Sequence, residues 1–153
     1  MDETTTIYVG SDHAGYSLKK ILLESFKKDL PQFRFEDCGT HNESSCDYPD
    51  FAKKVAENVV QKQTRGILIC GTGIGMSIAA NKIDGVRAAE IWDATSARLS
   101  REHNNANVAC IGARLVGPET ALEACRTWLK TEFLGGRHQG RIDKISALER
   151  SRS

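Results

Sequence analysis

Cys70 is followed at once by Gly71-Thr72-Gly73-Ile74-Gly75, so a sulfur base or nucleophile shares one turn with three glycines. Glycine lets a backbone turn tightly and lets successive N–H groups converge on one point, which suits an anion or a developing negative charge. The partly positive start of a following helix would favour the thiolate form of the cysteine. Such a group can take a weakly acidic proton or attack an electrophile. The remaining residues able to do chemistry are scattered: Asp12-His13, Tyr48, His103-Asn104, Arg114, and a late group of Arg137, His138 and Arg141. Arg137 and Arg141 are four apart and share one face of a helix, and two guanidinium forks suit a phosphate.

The loop fails three better-known glycine patterns at one place, Met76. A Walker loop needs glycine there, followed by Lys and Ser or Thr; the dinucleotide fingerprint also needs glycine; a phosphatase-type Cys-x5-Arg loop needs arginine. Glu90 does lie near the distance of a ribose-binding acid, which leaves a nucleotide-binding module as one alternative. A sugar-phosphate sensor without catalysis is another. Each residue taken singly has a plainer reading as well. Cys70 is then a buried cysteine in a strand-to-helix turn, His13 a polar strand end, Tyr48 a packed helix start, His103 an exposed histidine near a helix end, and the late arginines a solvated basic tail.

The elements that must position these groups alternate. Thr6–Gly10 reads as a strand, and Tyr16 to Phe26 carries apolar residues at helical spacing up to Pro31. Gln32–Asp37 is a second strand, and Cys38 to Asp47 is a polar loop. Tyr48-Pro49-Asp50 opens a helix lined by Phe51, Val55, Val59 and Val60. Gly66–Cys70 is a short apolar run typical of a strand buried on both faces, followed by a helix from Ile74 to Asn81 with Ile74, Ile78 and Ala79 on one side. Val86–Ile91 makes a fourth strand, and Asp93 caps a helix whose only large apolar residue is Leu99. Asn107–Gly112 makes a fifth strand, and a helix runs from Pro118 through Phe133 to the stop at Gly135-Gly136. A basic arm from about 135 carries a short helix, Ile142–Leu148. The expectation is one α/β domain spanning 1–153, a Rossmann-like three-layer α/β/α sandwich with a five-stranded parallel sheet and Gly66–Cys70 near its centre. In such sheets ligands bind at the carboxyl ends of the strands, which gathers Asp12, His13, Cys70–Gly75 and Arg114. That rule does not place His103 and Asn104.

Composition narrows the class. A chain of 153 residues with 40% hydrophobic and 27% charged residues describes a globular domain with a real core. A net charge of +1 argues against a nucleic-acid partner, and no apolar run approaches a membrane span. Five cysteines without a C-x-x-C pair indicate reduced thiols, with neither a disulfide framework nor a zinc site. With the polar opening Met1–Thr6, which lacks the order of a signal peptide, this gives the expectation of a cytoplasmic protein.

Taken together, Gly10-Ser-Asp-His-Ala-Gly15, Asp47-Tyr-Pro49, Cys70-Gly-Thr-Gly-Ile-Gly75 through Ala79-Ala-Asn-Lys82, Arg101-Glu-His-Asn-Asn105, and Gly136-Arg-His-Gln139 with Arg141 resemble the type B ribose 5-phosphate isomerases, grouped with galactose 6-phosphate isomerase subunits. The likeness runs almost end to end. One branch of that family uses a glutamate where this chain has Met76; Cys70 assigns this chain to the cysteine branch. The resemblance implies interconversion of D-ribose 5-phosphate and D-ribulose 5-phosphate without a cofactor or metal. In that reading Cys70 is the base, Thr72 a hydroxyl partner and His103 the ring-opening group. Asp12, Tyr48 and Asn104 hold substrate hydroxyls; His13, Arg114, Arg137 and Arg141 clamp the phosphate; Gly71, Gly73, Ile74, Gly75 and His138 complete the substrate site. It further implies a homodimer in which the basic arm reaches the partner's site.

Overall fold

A computed structural model describes residues 4–152; the polar opening Met1–Glu3 and Ser153 lie outside the described residues. Five strands alternate with helices: β1 (Thr5–Ser11), α1 (Tyr16–Asp29), β2 (Phe33–Asp37), α2 (Tyr48–Lys62), β3 (Arg65–Cys70), α3 (Ile74–Ala80), β4 (Ala88–Glu90), α4 (Ala94–Asn104), β5 (Val108–Gly112), α5 (Pro118–Lys130) and α6 (Arg137–Arg150). All strands are parallel, in the order β2-β1-β3-β5-β4, so the expected α/β sandwich forms with β3 at its centre.

The strands are apolar on both faces because both faces are covered. Ile7, Val9, Ile67, Ile69 and Ile111 meet α1 and α5 through Leu22, Phe26, Cys125 and Trp128. On the other side Tyr8, Leu68, Cys70, Val108 and Cys110 meet α2 and α3 through Val55, Val59, Met76 and Ala80. Fully burying one such aliphatic side chain contributes about 1.5–3 kcal/mol, so the central strand anchors the fold. Cys70 therefore projects toward the α2/α3 layer, one residue beyond the Ile69 that faces α1.

Local signals explain several helix ends. Asp93 Oδ1 accepts from the Ser96 N–H at 2.7 Å while Ser96 Oγ accepts from the Asp93 N–H at 3.2 Å, a capping box that starts α4. Asn105 closes the same helix in the left-handed conformation, φ 45°.

Several expectations need correction. α5 ends at Lys130, not Phe133, because Thr131 turns extended. β4 starts at Ala88, since the Val86 and Arg87 N–H groups go to Ile83 O and Asn107 Oδ1. The terminal helix begins at Arg137 rather than Ile142. α3 buries Met76 and Ala80, and the side that carries Ile74 and Ile78 faces outward. On α4 the small Ala97 is buried together with Ser100 and Arg101, while Leu99 is only half-buried. Val60, at the end of α2, is likewise exposed.

Candidate active site

The site grows from the end of β3. Cys70 is only 4% exposed, and its Sγ accepts a hydrogen bond from the Gly73 N–H at 3.1 Å. Gly73 can reach back because it takes φ +80°, where a side chain would in any case strike the β5 backbone 3.0 Å away at Ile111. Thr72 Oγ1 accepts from the Ile74 N–H at 3.2 Å, which leaves the hydroxyl proton available to another group. Two of the expected loop donors are thus engaged by the chain's own side chains, one of them on the sulfur itself.

Neighbouring strands supply the walls. The Asp12 N–H donates to Ile69 O at 3.2 Å, and Asp12 Oδ1 accepts from the Gly15 N–H at 3.0 Å, fixing the carboxylate at the start of α1. His13 Nδ1 accepts the Cys46 N–H at 3.2 Å. An Nδ1 that accepts carries no proton, so the neutral ring has its hydrogen on Nε2 as a donor. From β5, the Ala113 and Arg114 N–H groups donate to Cys70 O and Gly71 O at 2.8 and 2.9 Å. That bond brings the Arg114 guanidinium over Gly71, where an added Cβ would lie 3.1 Å from Nη1. Tyr48 leans over Gly75 so closely that a Cβ there would lie 2.6 Å from its ring.

These groups line one cleft of about 460 Å³: Asp12, His13, Tyr48, Cys70, Gly71, Thr72, Ile74, Gly75 and Arg114, with Ala14 and Ile78. Gly73 lies behind the wall as a support. Ile78 was missed as a wall residue, although an isoleucine pair four apart on so short a helix was the available signal.

His103, Asn104, Arg137, His138 and Arg141 are not in this cleft. They belong to the end of α4 and the start of α6, and α4 ends at the amino edge of the sheet, where β5 begins. The His103 and His138 rings stack there, 4.4 Å apart and 16° from parallel. Burial of His138, with His103, Arg137 and Arg141 nearby, holds its basicity below the usual histidine value. Asn104 lines a separate cavity of about 490 Å³ under α6, with Ala88, Ile145 and Leu148.

The nucleotide alternative loses its geometry, since β5 separates β3 from β4 and leaves Glu90 a strand away from the glycine loop. Among the described residues no group of three or more His, Cys, Asp or Glu side chains could hold a metal ion, and no helix is long and apolar enough to cross a membrane. Chemically, the cleft offers a hydrogen-bonded sulfur, a hydroxyl, an imidazole N–H and a guanidinium around one small volume.

Comparison with known proteins gives a consistent picture. The family model described as Ribose/Galactose Isomerase matches residues 7–145. The Escherichia coli (strain K12) ribose-5-phosphate isomerase B is 42% identical over 149 residues, covering 96% of this chain and 98% of that protein. The solved structure of Clostridium thermocellum ribose-5-phosphate isomerase B is 50% identical with a TM-score of 0.94, over 97% of this chain and 100% of that one. That of Mycoplasma genitalium ribose-5-phosphate isomerase B with bound ribulose-5-phosphate is 43% identical with a TM-score of 0.91, over 97% and 99%. Fold and sequence therefore agree, and this chain belongs to the Ribose/Galactose Isomerase family.

Proposed function

We propose that this protein interconverts D-ribose 5-phosphate and D-ribulose 5-phosphate, an aldose–ketose isomerisation of the non-oxidative pentose phosphate pathway carried out in the cytoplasm. The observation that carries the mechanism is the Cys70 sulfur in the cleft wall with the Gly73 N–H directed at it. The Cys70 thiolate takes the proton from C2 of the open-chain aldose. Negative charge passes to O1, giving an enediolate, and donors of the loop and the Thr72 hydroxyl stabilise it. Return of the proton from Cys70 to C1, with transfer of the O2 proton to O1, gives the ketose. Asp12 and Tyr48 hold hydroxyls, and the His13 Nε2–H and Arg114 bind the phosphate.

A furanose must open before any of this, and His103 suits the proton shuttle. It lies away from the Cys70 cleft of its own chain, on the α4–α6 side together with Arg137, His138 and Arg141. The reading is therefore a homodimer, in which the partner subunit's His103 and Asn104 and the partner's arginine pair complete each cleft. Exposed apolar residues Ile74, Ile78, Ile145 and Leu148 on α3 and α6 support such a contact.

The test is ribulose 5-phosphate formation by the purified protein. Cys70→Ala should lose about 10²–10⁴-fold in kcat, the usual weight of a general base, while still binding the sugar phosphate. Mixing inactive Cys70→Ala with inactive His103→Ala should restore activity through mixed dimers carrying one intact site. A fully active Cys70→Ala would end the assigned base; binding without turnover by the unaltered protein would make it a sensor; mixtures that stay inactive would end the shared site.

A further inference from the structure

Lysine is almost never fully buried unless it is paired, because removing an ammonium from water costs several kcal/mol. Lys19, on α1, has a side chain 1% exposed, and the chemistry described above makes no use of it. Its Nζ donates to Asp37 Oδ1 at 2.5 Å and to Thr40 O at 2.6 Å. The same Asp37 oxygen accepts the Gly39 N–H at 2.9 Å. One ammonium and one carboxylate thus clasp the base of the loop 38–47, just beyond β2.

What that base touches gives the clasp its meaning. The Ser11 N–H donates to Gly39 O and the Thr40 N–H donates to Ser11 O, both at 2.7 Å, so the loop base holds both peptide groups of the residue before Asp12. The far end of the same loop returns to the cleft, where the Cys46 N–H donates to His13 Nδ1. Midway, Ser17 Oγ on α1 donates to Glu43 Oε1 at 3.1 Å. The loop then runs through Asp47, the residue that starts α2, into Tyr48. Hydrogen bonds at both ends of the loop, joined by the chain between them, therefore tie Lys19 to the peptide groups beside Asp12, to His13 and to the start of α2 that carries Tyr48, although Lys19 lines no part of that cleft.

We propose that Lys19, paired with Asp37, is a positioning residue for the substrate cleft: it fixes the loop 38–47 so that the Cys46 N–H holds His13 as an Nε2–H donor toward the bound anion. This rests on the reading of the cleft as a sugar-phosphate site. Asp37 is 37% exposed, so it can rehydrate when the ammonium is removed, and Lys19→Met, which keeps the buried stem, retains a route to a folded protein.

The experiment compares the unaltered protein with Lys19→Met, Lys19→Arg and Asp37→Asn, each below its own melting temperature. Two readouts are taken: kcat and KM for ribose 5-phosphate, and the ring ¹⁵N signals of His13. Lys19→Met should lose on the order of 10- to 100-fold in kcat/KM, the scale of a small misplacement in a binding site, with most of it in KM. Its His13 signals should shift from one Nε2–H tautomer toward a mixture. Lys19→Arg should recover part of both, and Asp37→Asn should fall between. A lowered melting temperature with unchanged KM and unchanged His13 signals would overturn the proposal and leave Lys19 a purely structural lysine. If Lys19→Met does not fold, Asp37→Asn and Lys19→Arg decide by the same two readouts. Should the unaltered protein fail to isomerise, the function reading fails while the His13 signals still test the clasp.

Discussion

Two clefts of similar size lie at opposite edges of the sheet, and they use their polar groups in opposite ways. The Cys70 cleft, about 460 Å³, is at the carboxyl edge; the other, about 510 Å³ and lined by Arg65, Arg87 and Arg101, is at the amino edge. By composition alone, the three arginines would make the amino-edge cleft the better anion site. Yet its arginines are engaged in closing helices. Arg65 Nη1 donates to Trp128 O and Leu129 O, Arg87 Nε to Asn104 O and Asn105 O, and Arg101 to Thr131 O, Ala106 O and Asn105 Oδ1. Each satisfies carbonyls that a helix end leaves without partners. Burial, with Arg65 and Arg87 nearby, lowers Arg101 to about 10. At the carboxyl edge the arrangement is reversed. Backbone groups hold Asp12, His13 and Thr72 from behind and leave their outer valences facing the opening. Where a polar side chain sends its hydrogen bonds, rather than how many share a cavity, separates binding from stability.

The contrast can be broken from either side. Below the losses already assigned to Cys70→Ala and Lys19→Met, the next largest effect is expected for Gly75→Ala. Its Cβ would lie 2.6 Å from the Tyr48 ring, so the ring must move; KM should rise on the order of tenfold with the melting temperature little changed. An unaltered KM would remove Tyr48 from the substrate contacts. Arg65→Met should do the reverse, costing about 1–2 kcal/mol of stability in urea denaturation through the carbonyls it leaves bare, with kcat unchanged. A loss of kcat without loss of stability would make the amino-edge cleft functional and end the comparison.

The smallest effect is a pH dependence. His138 is less basic in the fold than when unfolded, so its contribution is complete above the unfolded value of about 6.5 and is lost as pH falls through and below it. The melting temperature should therefore drop faster between pH 7.5 and 5.5 than in His138→Gln. Parallel curves would show that the His103–His138 stack carries no titration.

The legible parts of the sequence were those where chain neighbours act on one another. Cys70 to Gly75 could be read as strand, turn and helix because three glycines after an apolar run leave few other conformations, and Pro49 marked the start of α2. Illegible were the contacts made between distant segments. Lys19 resembled any other lysine on the wet side of α1, since its partners Asp37 and Thr40 lie beyond the next strand. Arg101 read as part of a polar helix end and is instead buried under Trp128 and Thr131. Ile74 and Ile78 followed the helical period, yet a helix this short buries only one narrow stripe, and Met76 with Ala80 occupies it. The stacked histidines come from segments that periodicity could not join.

The strand order has a consequence for synthesis. β5, the last strand made, lies between β3 and β4. Until Gly112 has left the ribosome, β4 has no strand to pair with in this sheet, and the growing chain holds only the sheet β2-β1-β3 with one long side of its most apolar strand open. Cys70 ends that open side and waits for the Ala113 N–H to bind its carbonyl. The sulfur is thus made before the strand that walls it in, and a nascent chain stalled between Cys70 and Gly112 would expose it to oxidants and to other chains.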